Sequence, residues 1–389
     1  MRRFLIRFLI IVLALPVLFI AWNWIKDPVL TQRLLTLDQG PEDTVKSGAP
    51  LAIANRPPEQ RLLSAAAIDA AIDYGESTGS HALLVFHRGA IELEHYYPGH
   101  TADTLTPTQS MHKSVLAIVT GIAIAEGYID SVNAPVGKWI HEWRDDARGD
   151  ITIRQLLQQT SGIDYSTFST DLTSPFYQIM LGTNIRPYAL NNDILFPADT
   201  EFDYTSVNPL VLGIIIERAT GQRYSDYLSA ALWQKIGAPE ARVVIDSAEH
   251  GMARTFCCLQ ATARSWLHLG LLHLNRGEIG GRRIVSREWM RAVATPGELQ
   301  PNYGYLTWLG SEWDEYRYYN RKTSTRVLHS EPYLAEDVIY FDGMGGQRVY
   351  VVPSAELVIV RTGDMAMDWD DAKLPNLLLA DILRDVDGR

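Results

Sequence analysis

Hydrophobic and polar residues change their spacing several times along the chain, and each change predicts a different element. Residues 60–74 carry apolar positions at helical intervals and predict a helix. Residues 81–86 and 91–97 read as two strands of a hairpin turned at Arg88-Gly89. The second strand alternates apolar and charged residues, which predicts one buried and one wet face. From residue 110 to about 250 the pattern is helical. Residues 114–119 and 121–125 are apolar on nearly all sides, so this helix is predicted to be buried at the centre of a domain. Thr152 reads as the N-cap of a helix over 153–160, with Gly162 beyond its end. Asn208 as cap, Pro209 in the first turn and Gly221 past the last bound a strongly apolar helix. A further helix is predicted over 261–275. Strand spacing returns at 337–341, 348–352 and 357–361, the last two joined by Pro353-Ser354-Ala355-Glu356. A closing helix has Pro375 near its start and Leu374, Leu378 and Ile382 along one side. Strands at both ends around a helical middle predict an α+β fold: one antiparallel sheet built from both chain ends, flanked by helices, with an inserted all-helical lobe.

This pattern divides the chain. Residues 61–389 are predicted to form the main domain, with 61–105 and 255–389 as the sheet lobe and 106–254 as the helical lobe. Residues 27–60 contain Gly40-Pro41, Ala49-Pro50 and Pro57-Pro58 and read as an irregular tether. Residues 1–26 differ from the rest: Arg2, Arg3 and Arg7 lead into a charge-free stretch from Phe8 to Ile25, closed by Lys26-Asp27. That stretch approaches the roughly 20 residues needed to cross a bilayer. A signal peptide cut after Ala21 would place Phe19 where a small residue is needed. The reading is therefore an uncleaved inner-membrane anchor, basic end in the cytoplasm and the domain in the periplasm or cell exterior; secretion after cleavage is the alternative.

Composition narrows the function classes. At 389 residues, 47% hydrophobic and 21% charged, the chain has the make-up of an ordinary globular protein, which excludes disorder. A net charge of −11 argues against nucleic acid or an anionic membrane surface as the main ligand. The two cysteines, Cys257 and Cys258, are adjacent; they offer neither a disulfide framework nor zinc spacing, and read as packed thiols unless oxidised to a strained ring. His268 and His273 are five apart and miss the i,i+4 face, and neither H-E-x-x-H nor G-x-S-x-G occurs. No metal and no cofactor is expected. The expected partner is a small-molecule amide or ester; the oligomeric state is not legible.

The candidate chemistry begins at Ser110-Met111-His112-Lys113. On a helix, residues i and i+3 share a face, so the Ser110 hydroxyl and the Lys113 amine can meet. The ordinary reading of such a pair is a solvated helix face, but no other serine in this chain has a lysine three residues on. Ser110 would also stand at a helix N-terminus, where free N–H groups favour a developing anion. Tyr204, just before the apolar helix near Pro209, is by itself a packed aromatic; beside a Ser/Lys pair it becomes a third group able to carry a proton. Gly343-Met344-Gly345-Gly346-Gln347 is either a plain glycine turn or a strand edge for substrate. In the second case a backbone N–H there supplies half of an oxyanion hole and the Ser110 N–H the other half.

Taken together, these three motifs resemble, in order and spacing, the penicillin-recognising serine hydrolases. The chain is most similar to the class C β-lactamase-related branch and, within it, the 6-aminohexanoate-dimer hydrolase-like enzymes. Residues 151–157, Thr160-Ser161-Gly162, Leu212-Gly213 and Ala219-Thr220-Gly221 add to the likeness, which runs from about residue 60 to the C-terminus. The resemblance implies a β-lactamase/transpeptidase-like fold. It also implies Ser110 as acylated nucleophile, Lys113 as its proton acceptor, Tyr204 as acid/base, and the backbone N–H groups of Ser110 and Met344 as oxyanion donors. Gly343, Gly345, Gly346, Gln347, Tyr165 and His112 are the candidates for substrate contact. Two departures matter. Phe341-Asp342-Gly343 stands where the lactamases carry Lys or His, then Thr or Ser, then Gly. Ser206 stands where they commonly show Asn, although Asn208 is close. The first removes the cation and hydroxyl that would grip a β-lactam carboxylate. The implied activity is hydrolysis of small amides or esters through an acyl-enzyme. The alternatives are a D-amino-acid peptidase acting on wall peptides and a penicillin-binding-like sensor without turnover.

Overall fold

The computed structural model describes residues 14–15, 18–169, 171, 174–310 and 312–387. Its centre is a six-stranded antiparallel sheet. Across the sheet the strands run Ala90–Tyr96, Ser80–His87, Leu357–Gly363, Gln347–Val352, Ile339–Gly343 and Trp308–Leu309. The two chain ends thus meet in its middle, where Leu84 pairs with Val360 and Val349 faces that same residue from the other side. Successive side chains point to opposite faces, so each central strand feeds two cores. Leu83, Val85, Tyr350, Val352 and Ile359 enter a core beneath the helices Ala65–Ser77 and Lys373–Asp387. Leu84, Phe86, Val349, Val351 and Val358 enter a larger core shared with the helices His112–Ala125, Val207–Thr220 and Ala263–Leu274. These strands are apolar on both faces because both are covered.

A second, four-stranded sheet joins the tether to the domain, in the order Glu42–Val45, Ala241–Val244, Leu259–Ala261, Thr106–Pro107. The stretch read as an irregular tether therefore carries a paired strand and, ahead of it, a helix over Pro28–Thr36. Residues 18–26 are also helical. Among the described residues no helix is long and apolar enough to cross a membrane; the predicted span over 8–25 lies partly outside them, at residues 8–13, 16 and 17.

Several predicted boundaries move for local reasons. The helix read over 60–74 is Ala65–Ser77, capped by Ser64, whose hydroxyl accepts from the Ala67 N–H. The helix after Thr152 ends at Leu157 rather than 160; its start is a capping box between Thr152 and Gln155, and Gln159 then turns to φ +60°. The apolar helix begins at Val207, not after Asn208, because the Asn208 side chain is committed to Gln159 and Ser161 and caps nothing. Cys257 and Cys258 are not two thiols: they are joined as a vicinal disulfide, in a turn where Cys258 takes φ +73°.

Helix Ala263–Leu274 lies on the sheet through Gly270, where a Cβ would sit 2.5 Å from Val358 Cγ1 and 3.0 Å from Val349 Cγ1. A side chain there must push helix and sheet apart. Gly270→Leu is expected to destabilise the fold by about 1–3 kcal/mol through overpacking, read as a lower midpoint in chemical denaturation; an unchanged midpoint would contradict this packing.

Candidate active site

Ser110 lies in a 3-10 turn, Gln109–Met111, that runs directly into the buried helix His112–Ala125. Gln109 holds φ +52°, an uncommon backbone conformation for a side-chain-bearing residue, and this turn presents Ser110 at the floor of a cavity of about 370 Å³. One helical turn on, Lys113 places its Nζ 2.7 Å from Ser110 Oγ and 2.7 Å from the Phe256 carbonyl oxygen, donating to both. Tyr204 closes the group. Its ring lies beneath Lys113 Nζ, 4.7 Å from the centroid, with the Ser110 side chain alongside. Ser110, Lys113 and Tyr204 therefore line one cavity.

The Tyr204 loop is braced from behind. Gln159 accepts from the Thr205 N–H (3.2 Å) and from Asn208 Nδ2 (2.7 Å), and it donates to the Thr205 carbonyl (3.2 Å). The Tyr204 N–H donates to the Tyr319 carbonyl, and Tyr303 and Trp308 pack against its ring.

Burial moves the two titratable groups in opposite directions. It lowers the Lys113 pKa to about 7, opposed by the nearby Asp342 carboxylate. It raises Tyr204 well above its ordinary 10, helped by Tyr303 and Asp342 and opposed by the neighbouring Ser110 hydroxyl.

Met344 and Tyr165, both predicted to contact substrate or its oxyanion, line the cavity. Tyr165 belongs to a loop clasped by Lys322, which bonds to the Asp164 carboxylate and the Tyr165 carbonyl. Gly343 is not on the cavity lining and lies in tight packing. A Cβ there would sit 2.3 Å from the Thr108 carbonyl, so only glycine lets this strand end lie against the Gln109–Met111 turn. Gly345 and Gly346, at φ +74° and +77°, form the turn beyond it and do not line the cavity. Gln347 does not either; its amide is spent in two hydrogen bonds with the Gly363 backbone. His112 also faces away. It is fully buried, its Nδ1 donating to the Cys257 carbonyl (2.6 Å) and its Nε2 accepting from the Tyr224 hydroxyl (2.9 Å), and burial lowers its pKa to about 4. It is a neutral brace for the 256–258 segment, whose Phe256 carbonyl holds Lys113.

Sequence reasoning missed a buried ionic quartet under the cavity. Arg348 Nη1 lies 2.6 Å from Asp342 Oδ1 and its Nη2 2.7 Å from Asp371 Oδ1; Arg317 reaches the same carboxylates at 3.2 and 2.8 Å. All four are buried, and despite that burial Arg348 and Arg317 hold the Asp371 carboxyl below its ordinary pKa. The available signal was a charged residue inside each of two apolar strands, since buried charges come paired. Among the described residues no group of three or more His, Cys, Asp or Glu is arranged to hold a metal ion.

A family model described as Beta-lactamase matches residues 68–363. The chain belongs to the beta-lactamase family. Among curated members it is 30% identical over 240 residues to 6-aminohexanoate-dimer hydrolase of Paenarthrobacter ureafaciens, an alignment covering 58% of this chain and 59% of that enzyme. It is 28% identical over 195 residues to Esterase EstB of Burkholderia gladioli, covering 46% of each. The match thus spans about three fifths of the first relative and under half of the second. Two solved structures share the fold. A Bacillus anthracis protein named as a candidate 6-aminohexanoate-dimer hydrolase superposes with a TM-score of 0.68 at 19% identity, over 94% of this chain and 95% of its own. A penicillin-binding protein homologue from Caulobacter crescentus gives 0.61 at 13% identity, over 88% and 99%. In this beta-lactamase-family fold the antiparallel sheet supplies one cavity wall, through Asp342 and Met344, and the helical region supplies the other.

A group with a pKa near 7 that must be neutral to accept a proton sets the sign of a pH dependence. If Lys113 is that group, kcat/KM for an uncharged ester should fall about tenfold per unit below pH 7 and level off above it. His112 is neutral throughout this range and should add no limb. A flat profile between pH 5 and 8 would remove Lys113 from the role.

Proposed function

We propose that this protein is a serine hydrolase that cleaves amide or ester bonds of small, uncharged substrates through an acyl-enzyme. The observation that carries the reading is the hydrogen bond from Lys113 Nζ to the Ser110 hydroxyl, with the Tyr204 ring against the same amine and all three residues on one cavity lining. Neutral Lys113 keeps an N–H on the Phe256 carbonyl and turns its lone pair to the Ser110 O–H. Ser110 Oγ, giving its proton to Lys113, attacks the carbonyl carbon, and the backbone N–H groups of Ser110 and Met344 face the resulting oxyanion. Tyr204, still protonated, gives its proton to the departing amine or alkoxide and is reprotonated from Lys113. Water then repeats the sequence on the acyl-enzyme, with the same groups restoring free Ser110. The named activities of the relatives, hydrolase and esterase, support the same class.

The cavity supports an uncharged substrate. Lys113 and Asp342 are the charged side chains on its lining, and Asp342 is held by Arg317 and Arg348. Among the described residues no cation on that lining is left to bind a carboxylate, which disfavours β-lactams and carboxylate-terminated wall peptides. Ser110→Ala and Lys113→Ala should each abolish hydrolysis of p-nitrophenyl butyrate with the circular dichroism spectrum unchanged. Tyr204→Phe should lose roughly 10²–10⁴-fold in kcat. Turnover retained by Ser110→Ala would end the assignment, and one acylation burst without steady turnover would instead indicate a sensor.

We further propose that the domain is held at the outer face of the inner membrane. Residues 18–26 form a helix with Leu18, Phe19, Trp22, Trp24 and Ile25 exposed, following the three arginines at the start of the chain. Full-length protein should remain in the membrane fraction after an alkaline carbonate wash and be released by detergent; recovery in the soluble fraction would contradict it.

A further inference from the structure

One wall of the catalytic cavity is held in place by residues that precede the family's matched region, which begins at residue 68. The helix Pro28–Thr36 starts at Asp27, whose carboxylate accepts from the Leu30 N–H (2.9 Å) and from Gln178 Nε2 (3.3 Å). Leu30 and Leu34 pack against the helix Pro175–Leu181, in one small apolar cluster with Phe176, Tyr177, Met180 and Leu181. Phe176 and Met180 turn their other side to the cavity. The last carbonyls of a helix lack internal partners; here Arg33, 7% exposed, supplies them, donating to Leu181 O (2.8 Å) and Gly182 O (3.1 Å). Beyond the helix Gln39 itself lines the cavity, and its carbonyl accepts from Arg254 Nε (3.2 Å). Arg254 is fully buried and also donates to Gly182 O (2.8 Å), two residues before the Phe256 carbonyl that holds Lys113. Gly40 closes the arm at φ +126°, where a Cβ would sit 2.7 Å from the Ile245 carbonyl.

We propose that this arm, residues 27–40, is a specificity element: it fixes Phe176 and Met180 as an apolar subsite, so the enzyme prefers substrates with an extended apolar group on one side of the scissile bond. This deepens the proposed hydrolase reading and rests on it. The arm touches no reacting atom, so its residues are positioning residues. Losing their support should cost binding of the apolar group and spare the chemistry at Ser110.

The test uses the full-length protein and two ester series, one lengthening the acyl chain of p-nitrophenyl esters from acetate to octanoate and one lengthening the alcohol of acetate esters. In the wild type, kcat/KM should rise with length in one series. Arg33→Ala should raise KM for the long member at least roughly tenfold, equivalent to two methylenes leaving an apolar contact, while kcat for p-nitrophenyl acetate stays within about twofold. Leu34→Ala, a milder change at a half-buried position, should do the same to a smaller extent and covers the case in which Arg33→Ala fails to fold. Equal losses on short and long esters, or no length preference in either wild-type series, would overturn the proposal. Ser110→Ala separates the two readings: if it still hydrolyses the esters, the hydrolase assignment itself has failed; if it is inactive while the length preference is absent, only the role of the arm has.

Discussion

A lysine with almost no access to water is the constraint around which this structure is arranged. Lys113 has two partners, the Ser110 hydroxyl and the Phe256 carbonyl, both at 2.7 Å, and neither carries a formal charge. A buried ammonium without a carboxylate in contact is costly, and the cost appears as a pKa lowered to about 7. Keeping the lysine there requires the Phe256 carbonyl to stay where it is. Hence the bracing of the 254–258 segment: Arg254 is anchored on the backbone at the C-terminal end of the helix Pro175–Leu181, His112 is bonded to the Cys257 carbonyl, and Cys258 takes a positive φ.

The buried quartet of Arg317, Arg348, Asp342 and Asp371 answers a second electrostatic problem. Asp342 occupies the strand position that faces the cavity next to Lys113, and an unpaired carboxylate there would draw the lysine back toward its charged form. Two guanidiniums in contact with Asp342 and Asp371 leave the four groups with no net charge. Arg317 is set further by stacking over Trp308 and Tyr319, 4.1 and 4.7 Å from the ring centroids. Such clusters are expensive to bury and gain most of their worth from geometry. This one fixes the strand end at Gly343 against the Gln109–Met111 turn, since Arg348 also donates to the Gly343 carbonyl at 2.7 Å.

The sheet and the principal helices were legible because strand and helix spacings are strong signals over long apolar runs. The hairpin around Arg88-Gly89 and the strands near the C-terminus emerge within a few residues of their reading. What the chain hid were side chains with two plausible uses. Asn208 looks like a cap and is a brace; His112 looks like part of a nucleophile motif and is a strut; Gln347 looks like a substrate contact and ties two strands together. In each case a polar group found a buried partner far away in sequence, which no local pattern encodes. The arm was hidden for a similar reason. The prolines that follow it announce an irregular tether, while the features that dock it, Arg33 on the Leu181 and Gly182 carbonyls and Leu30 beneath Tyr177, depend on a helix about 150 residues later.

One property of the cavity explains how neighbouring groups can hold different protons. Removing water disfavours the charged form of any group, whichever sign it carries. For an amine this favours losing the proton; for a phenol it favours keeping it. Lys113 and Tyr204 sit against each other on one cavity lining, and burial moves one pKa down and the other up. On the proposed reading the division of labour follows without a dedicated partner for either residue. The amine is the group able to receive the Ser110 proton near neutral pH, and the phenol is the group still carrying one when a leaving group needs it. Had the site been wet, the lysine would be charged and the serine unactivated. Had it contained an unpaired carboxylate, the lysine would again be charged, by attraction. Burial with internally cancelled charge is therefore the condition for the proposed chemistry, and both the quartet and the aromatic packing around Tyr204 serve to maintain it.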